Sequence, residues 1–275
     1  MPKGDLLLYQ DDLTFETFKR KSKRIASKRR LSDLIDESLP NRFLDRSLQA
    51  LFEKGYIQDL VWQLQQGKEA TVFVATSGQG LVAVKVYADI RARSFRNDAC
   101  YREGRHIADS RLERAIRDRT HTGIDAQLGL WVEQEYRELS QLHRAGLSVP
   151  EPIVCIGNVI VMQFIGDENG AASRLSDIHL SPAEAHAAYE SAKNLLIGFA
   201  QLGRVHGDFS TFNLLWHEGN TYAIDFPQMV HFSENPQADA LLKRDIRSVA
   251  KTFRKLGVTV DEASLYHEVS KHIDF

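Results

Sequence analysis

Within His206-Gly-Asp-Phe-Ser-Thr-Phe-Asn213 and Ala223-Ile-Asp-Phe-Pro-Gln228, two carboxylates and one amide fall inside eighteen residues. Each is flanked by apolar, strand-like residues. Metal-assisted phosphoryl transfer needs such a set: one carboxylate to orient or deprotonate the nucleophile, and oxygen ligands to hold Mg2+ on the phosphates. A polar turn between strands uses the same residue types, because Asp and Asn favour turns. The rest of the chain has to separate the two readings.

Lys85 lies in Val82-Ala-Val-Lys-Val-Tyr87. Strand alternation puts Leu81, Ala83, Lys85 and Tyr87 on one face and Val82, Val84 and Val86 on the other. The small Ala83 beside the lysine leaves room for a flat ligand; an edge-strand lysine that blocks aggregation is the blander alternative. Between Leu128 and Leu142, the residues Leu128, Trp131, Val132, Tyr136, Leu139 and Leu142 form a helical stripe, and Glu135 falls on it. A carboxylate on an apolar stripe needs a cation, and Lys85 is the best-placed partner. Glu133 and Glu138 fall off the stripe and read as solvated. Upstream, Gln65-Gln-Gly-Lys-Glu-Ala-Thr-Val72 sits just before the Lys85 hairpin, where the backbone N–H groups around Gly67 can cover phosphates. Asp208 and Asn213 have the D-x-x-x-x-N spacing of a kinase catalytic loop. Asp225 ends a strand as the metal-binding Asp of an Asp-Phe-Gly motif does. On that reading Asp208 is the base, and Asn213 and Asp225 are the metal pair.

The elements that must position these groups follow from pattern. The chain has 275 residues with 43% hydrophobic content, enough for one two-lobed domain or two small ones. Thirty-five basic residues against thirty-seven acidic give no global bias toward nucleic acid or an anionic surface. The local exception is Lys19–Arg30, with eight Lys or Arg, inside a segment 1–40 that reads as a basic, flexible arm. No run reaches the roughly 18 apolar residues of a spanning helix, and the N-terminal apolar stretch is too short for a signal peptide, so a cytoplasmic protein without a membrane partner is expected. Cys100 and Cys155 stand apart, without metal-ligand or disulfide spacing.

Apolar spacing over Phe43, Leu44, Leu48, Leu51 and Phe52, stopped by Gly55, predicts a helix. Residues 71–76 and 81–87 predict a hairpin. Residues 88–127 are too evenly charged to order by pattern. A helix over 128–145, two strands around Gly157-Asn158, and a long helix over 183–203 follow. Short strands FNLLW and TYAID flank a His-Glu-Gly-Asn turn, and helices are expected from Pro236 onward.

With these motifs in hand, the chain resembles the RIO family of atypical protein kinases and ATPases, more closely the subfamily without an N-terminal winged helix. The resemblance rests on QGKEATVF, VAVKVY, WVEQEYREL, VMQFIG, HGDFSTFN and AIDFPQMV, from about Arg42 to Lys255. It implies an α+β, two-lobed protein-kinase-like fold, with a small β-rich N-lobe over 41–165 and a reduced, mainly helical C-lobe over 166–275. It also implies ATP and Mg2+, with Mn2+ as a substitute. ATP would meet Gly67, Lys68, Glu69, Ala70, Val72, Ala83 and Lys85, with Gln163 and Ile165 at the adenine. Asp208 would accept the proton, Lys85 would pair with Glu135, and Asp225 could itself become an aspartyl phosphate. The family's activities are Ser/Thr phosphorylation, chiefly of itself, and ATPase switching in small-ribosomal-subunit maturation. The basic arm would then meet ribosomal RNA or a ribosomal precursor, or serve only as a solubilising tail.

The chain departs from the family pattern at Gln65 and Gln66, which replace Ser-Thr, at Thr211, which replaces Glu, and at Phe226-Pro227 after Asp225. The fifty residues after Asp225 hold no Ala-Pro-Glu element, which points away from efficient phosphorylation of other proteins. Two competing functions share part of the pattern. A small-molecule kinase of the aminoglycoside or choline type also carries HGD-x-x-x-x-N, and a nucleotide-binding scaffold would keep the pocket without turnover.

Overall fold

Alternating β-branched residues build the first half of the molecule. The computed structural model describes residues 34–35, 42–67, 70–87, 114, 118 and 120–273. Helix α1 (Arg46–Glu53) starts where the Asp45 carboxylate accepts the N–H groups of Ser47 and Leu48, and it stops before Gly55, whose φ of 77° suits a residue without Cβ. Phe43 and Leu44, expected on this helix, precede it because Asp45 is the cap. Phe43 instead bridges to Ile35, and Leu44 is 51% exposed.

Strands β1 (Asp59–Gln66), β2 (Ala70–Ser77) and β3 (Gly80–Tyr87) form an antiparallel meander. After helix α2 (His121–Arg144), the hairpin β4 (Pro152–Ile156) and β5 (Val159–Gln163) completes a five-stranded sheet in the order β1-β2-β3-β5-β4. Period-two alternation divides its faces. Val82, Val84 and Val86 pack with Leu48, Leu51 and Phe73, and Leu34, inside the segment expected as an arm, joins this core. On the opposite face Tyr87 and Ile160 pack with Val132 of α2.

The second half is mainly helical. One short pairing, β6 (Gly166–Asp167) with β7 (Gly170–Ala171), leads to β8 (Ser173–Arg174). Helix α3 (Pro182–Gln201) opens on a capping box in which Ser181 and Glu184 satisfy each other's backbone N–H groups. β9 (Arg204–Val205) leads into the predicted catalytic loop, and a 3-10 turn, Thr211–Asn213, leaves it. β10 (Leu214–His217) and β11 (Asn220–Ala223) form the expected hairpin, with Glu218 and Gly219 both at positive φ. β11 ends before Asp225, two residues earlier than the sequence pattern indicates. β12 (Val230–His231) pairs with β9, and α4 (Ala238–Lys255) and α5 (Glu262–Ser270) close the core around Phe199, Ile246 and Phe253. The architecture is the α+β, two-lobed one expected. Among the described residues no helix is long and apolar enough to cross a membrane.

Asp45 also accepts from the Asn158 side chain at 3.2 Å, tying α1 to the β4–β5 turn. Asp45→Ala is therefore expected to lower stability by about 1–2 kcal/mol, the upper part of the range for a lost helix cap, as read by urea unfolding.

Candidate active site

Lys85 is buried on β3 at 7% exposure, on the face turned to α2, and Glu135 on α2 is 4% exposed. Their separation is 2.5 Å between Nζ and Oε1, and Lys85 Nζ also lies 2.7 Å from Asp225 Oδ1. Burial alone would lower the lysine's pKa, but Asp225 and Glu135 reverse that and hold the ammonium firmly protonated. Burial raises Glu135 above the usual carboxylate range, with Lys85 opposing it. Burial also acts to raise Asp225, but there Lys85 prevails and the carboxylate is held below its usual range. One ammonium thus faces two carboxylates. The surplus negative charge is at Asp225, whose side chain is 46% exposed and whose backbone sits at a φ of 71°, in the left-handed region.

The second half of the site is a loop fixed by its own backbone. His206 is fully buried among the rings of Phe199, Phe209 and Phe226. Its Nε2 faces the Ile224 carbonyl at 3.3 Å, and its Nδ1 accepts the Asp208 N–H at 3.3 Å, an arrangement that suits the Nε2–H tautomer. Burial pushes its pKa down to about 4, so the neutral ring bridges the Asp208 loop and the Asp225 segment. Asp245 of α4 accepts the N–H groups of Gly207 at 2.7 Å and Phe209 at 3.0 Å. Asn213 Nδ2 donates to the Asp208 carbonyl at 2.9 Å and to Asp208 Oδ2 at 3.0 Å. Burial raises the Asp208 pKa, with the Asn213 bond opposing it.

The predicted nucleotide residues share the face of Lys85. In register, Ala70 lies opposite Tyr87, Val72 opposite Lys85, and Ala83 opposite Met162, so their side chains project to one side of the sheet. The Gly67 N–H donates to the Ala70 carbonyl at 2.9 Å and closes the β1–β2 turn. Lys68 and Glu69 lie outside the described residues, as do the Lys19–Arg30 run and Cys100. The Gln163 N–H is bonded to the Glu151 carbonyl and the Ile165 carbonyl to the Ala172 N–H. Burial pushes the Cys155 thiol up to about 12, which keeps it protonated and unreactive.

The acidic residues of α2 need one correction. Glu133 is ion-paired with Arg137 at the surface, as expected, but Glu138 is only 3% exposed. It binds Arg204 Nε at 2.9 Å and His231 Nε2 at 3.2 Å. Burial would raise its pKa, and these two partners bring it below the usual range instead. The apolar stripe through Val132 and Glu135 marks only the side of α2 facing the sheet. The helix has a second buried side, against β9 and β12. Asp245 was also missed, although its signal was of the kind that marked Glu135: a carboxylate among Leu241, Leu242, Ile246 and Val249 on one helical stripe.

A divalent cation held with nucleotide phosphates needs only one or two protein carboxylates or carbonyl oxygens. Among the described residues no cluster of three His, Cys, Asp or Glu offers a self-sufficient cage. The open Asp225 carboxylate, with its unbalanced charge, and Asn213, whose amide nitrogen is committed to Asp208, fit the smaller requirement.

Comparison with known proteins agrees with this geometry. The sequence profile of one family, described as RIO domain, matches residues 71–265. The RIO-type serine/threonine-protein kinase Rio1 of Haloferax volcanii is 34% identical over 237 residues, which cover 86% of this chain and 77% of that protein. Serine/threonine-protein kinase rio1 of Schizosaccharomyces pombe is 33% identical, covering 82% of this chain and 45% of its own length. Human serine/threonine-protein kinase RIO1 is 28% identical, with 93% and 44% covered. The chain therefore spans most of the archaeal relative and under half of the fungal and human ones. In structure it is similar to the Rio2 kinase of Chaetomium thermophilum in an ADP/Mg2+-phosphoaspartate complex, at a TM-score of 0.61 and 21% identity over 82% of this chain and 65% of that one.

Two buried groups make opposite contributions on acidification. His206 keeps its proton off down to about pH 4 when folded but binds one near its ordinary 6.5 when unfolded. Its stabilising contribution is therefore present above 6.5 and lost as pH falls toward 4. Asp245, pushed up by burial to about 6 against an ordinary 3.8, binds its proton first in the folded state. Its contribution grows as pH falls through that window. Urea unfolding at pH 6.5 and 4.5 should show Asp245→Asn losing about 2 kcal/mol more on acidification than the wild type does.

Proposed function

The chain belongs to the RIO family of serine/threonine-protein kinases, and from that premise we propose ATP- and Mg2+-dependent phosphoryl transfer, run chiefly as autophosphorylation and ATP hydrolysis. The observation that carries the reading is the buried Lys85 ammonium held between Glu135 and Asp225. ATP lies against Ala70, Val72 and Ala83, with Gly67, Lys68 and Glu69 as further contacts and its purine edge at the Gln163 carbonyl and the Ile165 N–H. A hinge at these residues divides an N-lobe over 41–165 from a C-lobe over 166–275.

Lys85 binds the α- and β-phosphates, and Glu135 keeps its ammonium from collapsing onto Asp225. Asn213 Oδ1 and Asp225 would hold Mg2+, or Mn2+ in its place, which neutralises phosphate charge when bound. Asp208 accepts the proton of the attacking hydroxyl, and its raised pKa brings it closer to a working base at neutral pH. The Asn213 bond aims it. Asp225 can also be the acceptor: its ionised oxygen bonds to the γ-phosphorus, the bond to the ADP oxygen breaks, and water later hydrolyses the acyl phosphate. Its exposed, ionised carboxylate supports this route, and the phosphoaspartate state of the structurally similar Rio2 kinase is consistent with it.

Only residues 226–237 separate Asp225 from α4, and part of that span is β12, so no extended activation segment fits there to dock peptides. This favours self-phosphorylation over rapid phosphorylation of other proteins. A cytoplasmic setting and a ribosomal RNA or precursor partner belong to the same reading, supported by the Lys19–Arg30 charge run.

Incubation with γ-labelled ATP and Mg2+ tests the proposal. Wild type should release phosphate and carry label, Asp208→Ala should be slower by about 100-fold or more, and Asp225→Ala should lose turnover together with any acyl-phosphate label. ATP binding by the wild type with no phosphate release above background, unchanged in Asp208→Ala, would instead indicate a nucleotide-binding scaffold. Transfer to alcohols or amines far above self-labelling would indicate a small-molecule kinase.

A further inference from the structure

Glu135 and Glu138 lie one helical turn apart on α2 but face different parts of the molecule. Glu135 meets Lys85 of the sheet. Glu138 meets Arg204 and His231, which lie directly opposite each other in the β9–β12 pair. Arg204 stands two residues before His206, and His231 lies six residues after Asp225. One buried carboxylate is therefore bonded to the strand that launches the Asp208 loop and to the strand that follows the Asp225 segment. Further bonds extend the cluster. Gln134 Nε2 donates to Glu138 Oε1 at 2.7 Å, Arg204 also binds the Gln141 side chain, and its Nη1 donates to the Leu202 carbonyl at 2.7 Å.

We propose that Glu138 is a positioning residue, holding α2 in the register that keeps Glu135 on Lys85 while the Asp208 and Asp225 segments stand in place below. The inference rests on the phosphoryl-transfer reading, since Glu138 touches none of the reacting groups. Its physical basis is that α2 packs Val132 against the sheet while its Leu139 and Leu142 join the core of the helical half. A carboxylate this buried is bonded to two side chains outside α2, Arg204 and His231, and would lose both without gaining water in their place, which gives the helix one preferred seat. With Glu138 shortened to alanine, Arg204 and His231 lose their common acceptor and α2 can shift along β9 and β12, carrying Glu135 with it.

The test is a double-mutant cycle on the full chain, with ATP turnover and peptide-resolved amide exchange measured in parallel. Glu138→Ala is expected to lower kcat about tenfold or more, and to raise exchange in both 136–144 and 204–213. Glu138→Gln, which keeps an acceptor for Arg204, is expected to recover most of the loss. In a Glu135→Gln background, Glu138→Ala should add less than about twofold, because the pair it positions is already gone. Equal fold losses in both backgrounds, or exchange changes confined to α2, would make Glu138 a packing residue only and overturn the proposal. Should Glu135→Gln itself leave turnover intact, the phosphoryl-transfer reading fails. The exchange data would then still report whether Glu138 couples α2 to the catalytic loop.

Discussion

A buried ammonium between two carboxylates is the constraint around which this molecule is arranged. Lys85, Glu135 and Asp225 come from a strand, a helix and a loop widely separated in sequence; the Lys85 and Glu135 charges leave water together, and Asp225 reaches the same ammonium from a half-exposed position. An isolated charge at this depth would cost several kcal/mol, and removing one member of such a group typically costs about 3–5 kcal/mol. β3, α2 and the segment after β11 therefore have to converge. The sheet supplies a dry face, with valines filling the layer beneath, and α2 packs Val132 against the opposite side.

Around that cluster the loop backbone is held by the side chains of Asp245, His206 and Asn213. Asp245 accepts two N–H groups of the catalytic loop, and His206 links that loop to the carbonyl of Ile224, one residue before Asp225. Asn213 closes the turn over Asp208. The groups proposed to meet developing charge are thus held in place by the fold itself, which is how a preorganised site avoids reorganisation during reaction. Asp225, at a left-handed φ and partly open to solvent, is the least constrained of them and is the group best placed to change partners.

Much of this was legible in the sequence where one period or one spacing dominated. The valine alternation located β3 and its two faces, and the Glu135 carboxylate on an apolar stripe pointed to Lys85. The Asp208–Asn213 spacing marked a loop whose two ends are hydrogen-bonded to each other. What escaped depended on contacts between distant segments. Glu138 reads as a surface residue until β9 and β12 are seen beneath α2. Asp245 carries no motif; only its apolar neighbours on α4 give it away. Helix α1 begins late because a local cap, Asp45, overrides the apolar spacing that includes Phe43 and Leu44.

The role proposed for the Lys85 cluster is to organise a metal–nucleotide pair. Equilibrium titration of ATP, with and without Mg2+, into the wild type and Lys85→Met tests it directly, with folding of both checked by circular dichroism. The account predicts that wild type binds ATP more tightly with Mg2+ than without it, and that Lys85→Met weakens the Mg2+-supported binding by about tenfold or more, a loss of roughly 1.4 kcal/mol. Equal affinities in the two folded proteins, unmoved by Mg2+, would contradict it.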